Sequence, residues 1–318
     1  MRAAIVGAPG LLALLAACSS IAPYSSTVPA PRPNNHFFTH LVFVSDSQHG
    51  VIRIYDEETQ QLRRTLAGLM KPQALLMGPE NVLYVIQGGV SSIRVYDLDY
   101  KYGLLHDSGN LPQGIAWDPA GERVGVTNAC TIAQSCPPHS GSIQYYEGDK
   151  WICHIPVPDY QRVGFIAFDY EGNLYFNGIV GSGAGHVVIS EVQRGTECDI
   201  PTKYFELPTG NVISSVGNLS AHFNGLSVLD PKAKTIYTYA LPKNRTLGNP
   251  IATTRLDGVS GIPPAGFVLL SSGTAAFILD DAAKTANRFL MPQGGNPKKS
   301  IAIGGFPSGV ALTAVPSQ

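Results

Sequence analysis

The chain has 318 residues, with 22 Lys+Arg against 23 Asp+Glu for a formal charge of −1, so it carries no field that would hold nucleic acid. Charged residues make up 14% and hydrophobic ones 44%, which excludes a disordered chain and supplies material for a core. The 34 Gly and 24 Pro point to many tight turns.

Residues 1–17 open with one cation, Arg2, ahead of an apolar run from Ala3 to Ala17 broken by Gly7, Pro9 and Gly10. The run is shorter than the ~20 residues a membrane-spanning helix needs, and it ends in small residues, as secretory signals do. Residues 18–35 set Pro23, Pro29, Pro31 and Pro33 among Ser and Thr. That composition predicts a semi-extended linker reaching about 50 Å. Leu15-Ala16-Ala17-Cys18 resembles the lipobox of bacterial lipoproteins. The resemblance implies lipid attachment at Cys18 after cleavage, and Ser19 in place of an aspartate implies the outer membrane. The expected location is therefore the cell envelope, with membrane contact through the N-terminal lipid only.

From residue 36 to 318 no sustained helical period occurs, whereas short β-branched and aromatic runs recur between turn residues. Leu41-Val-Phe-Val-Ser45 matches Val82-Leu-Tyr-Val-Ile86, and Val51–Asp56 matches Ser92–Asp97. Lys71-Pro-Gln-Ala-Leu-Leu-Met77 likewise matches Leu111-Pro-Gln-Gly-Ile-Ala-Trp117. Each unit reads as four strands. Second strands begin near Leu41, Val82, Val124, Leu174, Asn224 and Ala275, 41 to 51 residues apart, which is propeller-blade spacing. Third strands fall at Val51–Asp56, Ser92–Asp97, Ser142–Glu147, His186–Glu191, Thr235–Leu241 and Thr285–Met291. Innermost strands fall at Ala74–Gly78, Gly114–Asp118, Gly164–Asp169, Val212–Leu219, Ala265–Leu270 and Gly309–Ala314. The predicted fold is all-β, a six-bladed β-propeller with four-stranded blades. Because the array starts on a second strand and ends on an innermost one, the C-terminal strand must close the ring.

Val44-Ser-Asp-Ser-Gln-His-Gly-Val-Ile-Arg-Ile-Tyr-Asp56 and Leu111-Pro-Gln-Gly-Ile-Ala-Trp-Asp-Pro-Ala-Gly121 resemble the NHL-repeat and YVTN-type β-propellers, with an echo in Phe165–Tyr175. The resemblance is concentrated in residues 41–177. It implies a fold whose members bind proteins, sugars or RNA, or act as enzymes, so it does not decide function.

Four cysteines follow Cys18. Cys130 and Cys136 bracket a loop of blade three, and Cys153 on its outer strand is within reach of Cys198 in blade four; disulfides are expected in an exported chain. No metal site and no cofactor are expected, since the cysteine spacing is looser than in zinc motifs. Asp46, Asp56, Asp97, Asp118, Asp169, Asp230, Asp280 and Asp281 recur at strand ends, where aspartates commonly cap turns. Gln73, Gln113 and Ser308 stand at equivalent starts of innermost strands, and Asn128 and Asn177 end second strands. These five are the candidate ligand contacts at the channel mouth. The expected function is a binding module for a protein partner or an extracellular carbohydrate or small molecule. The alternative is a metal-dependent hydrolase resembling the gluconolactonase-type propellers. That chemistry needs an anionic oxygen ligand at the channel, and no innermost-strand start supplies Asp or Glu, although Asp46 or Asp159 could reach in from a loop.

Overall fold

The computed structural model describes residues 41–313 apart from 89, 98, 107–109, 131–138, 182–184, 197, 199–203, 210, 211, 224 and 271. Six sheets of four antiparallel strands follow one another along the chain. Blade one holds β1 (Leu41–Asp46), β2 (Val51–Asp56) and β3 (Leu62–Leu66). Blade two holds β4 (Pro72–Met77), β5 (Leu83–Gln87), β6 (Ser92–Tyr96) and β7 (Tyr102–His106). Blade three comprises β8 (Asn110–Asp118), β9 (Arg123–Cys130), β10 (Ser142–Glu147) and β11 (Lys150–Pro156). Blade four comprises β12 (Tyr160–Phe168), β13 (Leu174–Val180), β14 (His186–Val192) and β15 (Phe205–Leu207). In blade five are β16 (Leu219–His222), β17 (Gly225–Asp230), β18 (Thr235–Tyr239) and β19 (Ala252–Arg255). In blade six are β20 (Phe267–Leu269), β21 (Ala275–Asp280), β22 (Thr285–Leu290) and β23 (Lys299–Ala302). The last strand, β24 (Pro307–Leu312), returns to blade one and pairs antiparallel with β1, Val42 facing Leu312 and Val44 facing Val310. The ring is a six-bladed β-propeller closed by its C-terminal strand.

Burial grades outward across each blade and explains the sequence pattern. Second strands are covered on both sides by neighbouring blades, so β17 and β21 are buried at every position and read as continuous apolar runs. The outer strand β3 is exposed at four of its five positions and carries Arg63, Arg64 and Thr65. Charge there also discourages edge-to-edge pairing.

Seven of the recurring aspartates cap turns. Backbone N–H groups two to four residues ahead donate to Asp46, Asp56, Asp97, Asp118, Asp169, Asp230 and Asp280. At Asp56 the Thr59 N–H and the Arg63 guanidinium hold the carboxyl at about 2, below its ordinary 3.8. Asp281 donates its own N–H to the Gly261 carbonyl.

Blade five departs from expectation. Its innermost strand runs Leu219–His222 rather than Val212–Leu219. The upstream residues are drawn off the sheet because the Ser214 N–H and the hydroxyls of Ser214 and Ser215 turn to the buried Asp230 carboxylate. The Asn218 N–H then bonds the Pro264 carbonyl of blade six.

Cys153 in β11 is bonded to Cys198, between β14 and β15, with a Cα–Cα distance of 5.9 Å. The bridge joins the outer parts of blades three and four. Cys18, Cys136 and the side chain of Cys130 lie outside the described residues.

Candidate functional site

The channel has two unlike mouths. On the upper face innermost strands begin and second strands end; on the lower face innermost strands end in the turns to the second strands.

The five sequence-derived candidates all lie toward the upper face, and several of them tie blade to blade. The Ser45 hydroxyl donates to the Gln73 carbonyl (2.7 Å), and the Ser308 hydroxyl lies 2.7 Å from the Pro72 carbonyl and 3.0 Å from Ser45 Oγ. Asn177 is fully buried; its Oδ1 accepts from the Phe165 N–H and its Nδ2 donates to the Gly217 carbonyl, both at 2.8 Å. Asn128 is also fully buried, in register between Pro112 of β8 and Ser142 of β10. Thr127 donates to the Gly164 carbonyl, and Asn218 Nδ2 to that of Phe267 at 2.9 Å. Gly309 packs so closely on the Gln73 carbonyl that a Cβ would stand 2.1 Å from it. These contacts form a polar belt around the upper channel. Gln73 and Gln113 remain only half-buried. Gln113 Oε1 accepts from the exposed Arg162 guanidinium at 2.9 Å, a partner the sequence reading did not single out.

The lower half of the channel encloses about 310 Å³, lined by the ends of all six innermost strands. Leu76, Trp117, Ala167, Ser220, Val268 and Leu312 are among its walls, and Glu57 is the one ionisable side chain among the described residues of that lining. Glu57 is paired with Arg288 at 3.4 Å. A second cleft of about 250 Å³ adjoins it, sharing Phe168, Ser220, Ala221, Leu269 and Leu270, and extends to Pro119, Tyr170, His222 and Phe223. Sharing that wall, the two spaces together outline a funnel toward the lower face, its outer part lined by residues of blades three to six.

Two aromatic rings stand at its rim. Tyr170, in the turn of blade four, and Phe223, in that of blade five, are 53% and 79% exposed. They stack with centroids 5.5 Å apart and planes at 29°. Asp169 fixes the first turn by accepting from the Glu171 and Asn173 N–H groups. Arg194 secures it to blade three by donating to the carbonyls of Ala120 (2.8 Å) and Glu171 (3.4 Å). The charge of Glu171 raises the Tyr170 phenol pKa. His222 Nε2 lies 3.1 Å from Ser227 Oγ, and burial lowers the imidazole pKa, so the ring is neutral at pH 7.

Neither carboxylate named for the metal-hydrolase alternative is unengaged. Both Asp46 oxygens are engaged by Gln48, His49 and Arg53, and Asp159 accepts from the Tyr204 hydroxyl. Among the described residues no three His, Cys, Asp or Glu side chains converge as metal ligands.

No family model and no curated protein matches the chain. Solved structures do. A functionally unknown protein from Desulfotomaculum acetoxidans superposes with a TM-score of 0.59 at 12% identity, over 86% of this chain and 99% of that one. The nidogen/laminin complex gives 0.63 at 15% identity, over 86% and 98%. A streptogramin B lyase gives 0.53 at 12% identity, over 87% and 80%. At such identities the likeness is one of fold.

Proposed function

We propose that the chain is an exported, lipid-anchored propeller of the NHL/YVTN kind that acts as a binding module, taking up a neutral ligand or partner group through its lower mouth. The observation that carries this reading is the funnel itself. Among the described lining residues its walls are apolar or neutral apart from the paired Glu57, and its rim exposes two aromatic rings that a folded chain would otherwise cover. Propeller neighbours include a protein complex, nidogen with laminin, and a streptogramin B lyase, so rings of this build serve both protein and small-molecule recognition.

Trp117 reports on the funnel directly, because the other tryptophan, Trp151, lies on the outer strand of blade three. In a Trp151→Phe background, the neutral dye N-phenyl-1-naphthylamine is expected to quench Trp117 saturably. Ala221→Phe, which narrows the funnel, should abolish the response. Quenching that never saturates, or that survives Ala221→Phe, removes the support for this site.

The export reading assigns residues 1–17 to a cleaved signal, Cys18 to the lipid and residues 18–35 to the linker, placing the ring at the outer membrane. Cys18→Ala is then expected to move the protein from the membrane pellet to the soluble fraction. Unchanged sedimentation with membranes would contradict the anchor.

A further inference from the structure

The upper mouth carries a cationic edge that the lower-mouth reading does not use. Arg162 stands near the start of β12 in blade four, and its exposed guanidinium donates through Nη2 to Gln113 Oε1 of blade three at 2.9 Å. Lys71 stands exposed just ahead of β4 in blade two. Among the described residues neither cation is ion-paired. The six innermost strands open on this face with Pro72-Gln73, Asn110-Leu111, Tyr160-Gln161, Leu219-Ser220, Phe267-Val268 and Pro307-Ser308, none of them acidic. Asp46 is held by His49 and Arg53. Asp159, three residues before Arg162, turns instead to the Tyr204 hydroxyl ahead of β15.

The backbone is shaped around this edge. Strands β4, β8 and β12 each slip register near their start, between Pro72 and Leu75, Pro112 and Gly114, and Tyr160 and Arg162. Gln113 and Gln161 are the extra residues of the last two bulges, and Gln73 lies in the first; such bulges re-aim side chains and gather beside functional sites. Lys71 and Leu111 hold φ of 47° and 55°, although a residue before proline is pressed toward extended backbone. Backbone of that kind is costly and is found at ligand clamps. Gln113 is fixed from behind, its Nε2 lying 3.2 and 3.3 Å from the Leu111 and Pro112 carbonyls, so it holds the guanidinium by one nitrogen. Nη1 and Nε of Arg162 make no hydrogen bond among the described residues. A planar guanidinium presented in this way matches the paired oxygens of a carboxylate or phosphate.

We propose that the upper mouth is a second, anion-binding site, in which the Arg162 guanidinium, positioned by Gln113, grips the carboxylate or phosphate of a small molecule and Lys71 adds charge from blade two. The site is separate from neutral uptake at the lower mouth. Both cations are solvated, so the binding is modest and salt-sensitive.

Isothermal titration of the full chain with tricarballylate, its neutral triamide and inorganic phosphate, at fixed ionic strength, provides the test. Tricarballylate or phosphate is expected to bind saturably, and the triamide is not; the tighter of the two anions tells carboxylate from phosphate. Raising sodium chloride should weaken the binding. Arg162→Gln should weaken it about ten-fold, the scale of one lost charge-assisted hydrogen bond, and Lys71→Gln by less. Gln113→Glu places a carboxylate against the guanidinium in nearly the same shape and should abolish binding, whereas Lys150→Gln, on the outer strand of blade three, should leave it unchanged. These side chains are exposed or half-buried, and unaltered melting curves would confirm that the variants fold. Failure of both anions to bind saturably overturns the proposal, as does binding that survives Arg162→Gln and Gln113→Glu, or equal binding of the triamide. Dye capture at Trp117 reads the lower mouth separately: if it persists when both anions fail, this site falls and the funnel reading stands, and the converse holds if only the dye fails.

Discussion

A chain that stops at Gly305 is expected to lose cooperative folding altogether. The missing strand, β24, is the innermost ribbon of blade one, and its loss uncovers more than its own residues. Val310 and Ala311 are buried, and they cover Val42, Phe43 and Val44 of β1, which become an exposed apolar edge without them. Burial of an aliphatic or aromatic side chain stabilises by about 1.5–3 kcal/mol, so this set accounts for roughly 10 kcal/mol. A whole domain is stable by only about 5–15 kcal/mol. The truncation also removes Ser308 from the upper belt, the Gly309 contact with blade two and the Ala265–Gly309 bridge to blade six. Both neighbouring blades therefore lose their seam at once. Thermal denaturation followed by near-ultraviolet circular dichroism should show no transition in the truncated chain. A melting temperature within a few degrees of the full chain would mean that the ring does not depend on closure.

Much of this architecture is legible because burial writes itself into the sequence differently at each strand position. Leu41-Val-Phe-Val and Val82-Leu-Tyr-Val repeat because second strands are covered on both faces. Val51–Asp56 and Ser92–Asp97 alternate because third strands are covered less evenly. The ring closure follows from counting strands at the two ends. Blades five and six carry their own repeat, Leu229-Asp-Pro-Lys-Ala-Lys-Thr235 against Leu279-Asp-Asp-Ala-Ala-Lys-Thr285. Its lysines occupy the same left-handed backbone conformation, with φ of 50° at Lys234 and 58° at Lys284. Each reaches the next blade: Lys234 Nζ donates to the Val259 carbonyl, and Lys284 Nζ sits over the Phe306 ring. That signal is available in the sequence but differs in wording from the blades one and two repeat.

The candidate site is legible only in part. Polar residues at strand ends near a channel suggest ligand contacts, yet the same positions are where neighbouring blades must satisfy backbone groups in a crowded space. Asn177 shows the second use, with both amide atoms committed to peptide groups. Phe223 belongs to no repeat, and Tyr170, inside the Phe165–Tyr175 echo, stands where blade three has Pro119. They become a pair only when the ring sets two turns side by side, and a linear pattern has no means of recording that.

Reduction of the Cys153–Cys198 bridge should be the largest single-bond effect in the described structure. The bridge closes a 45-residue separation, and chain-entropy arguments assign a loop of that length about 4 kcal/mol of stabilisation through the unfolded state. Strand β15 has only three residues and holds to β14 through three residue pairs, with Tyr204 just ahead of it bonded to Asp159 and packed on Tyr160 and Phe176. Cys153→Ser, Cys198→Ser and reduction with dithiothreitol should agree, each lowering stability by about 2–4 kcal/mol and Tm by roughly 10 °C. Trypsin should then cut first after Arg194, whose guanidinium bonds to Ala120 and Glu171 hold only while the excursion stays docked. Matching melting curves before and after reduction, with Arg194 still protected, would show that packing between blades three and four holds the excursion without the covalent tie. In that case the bridge would have to act on something other than stability.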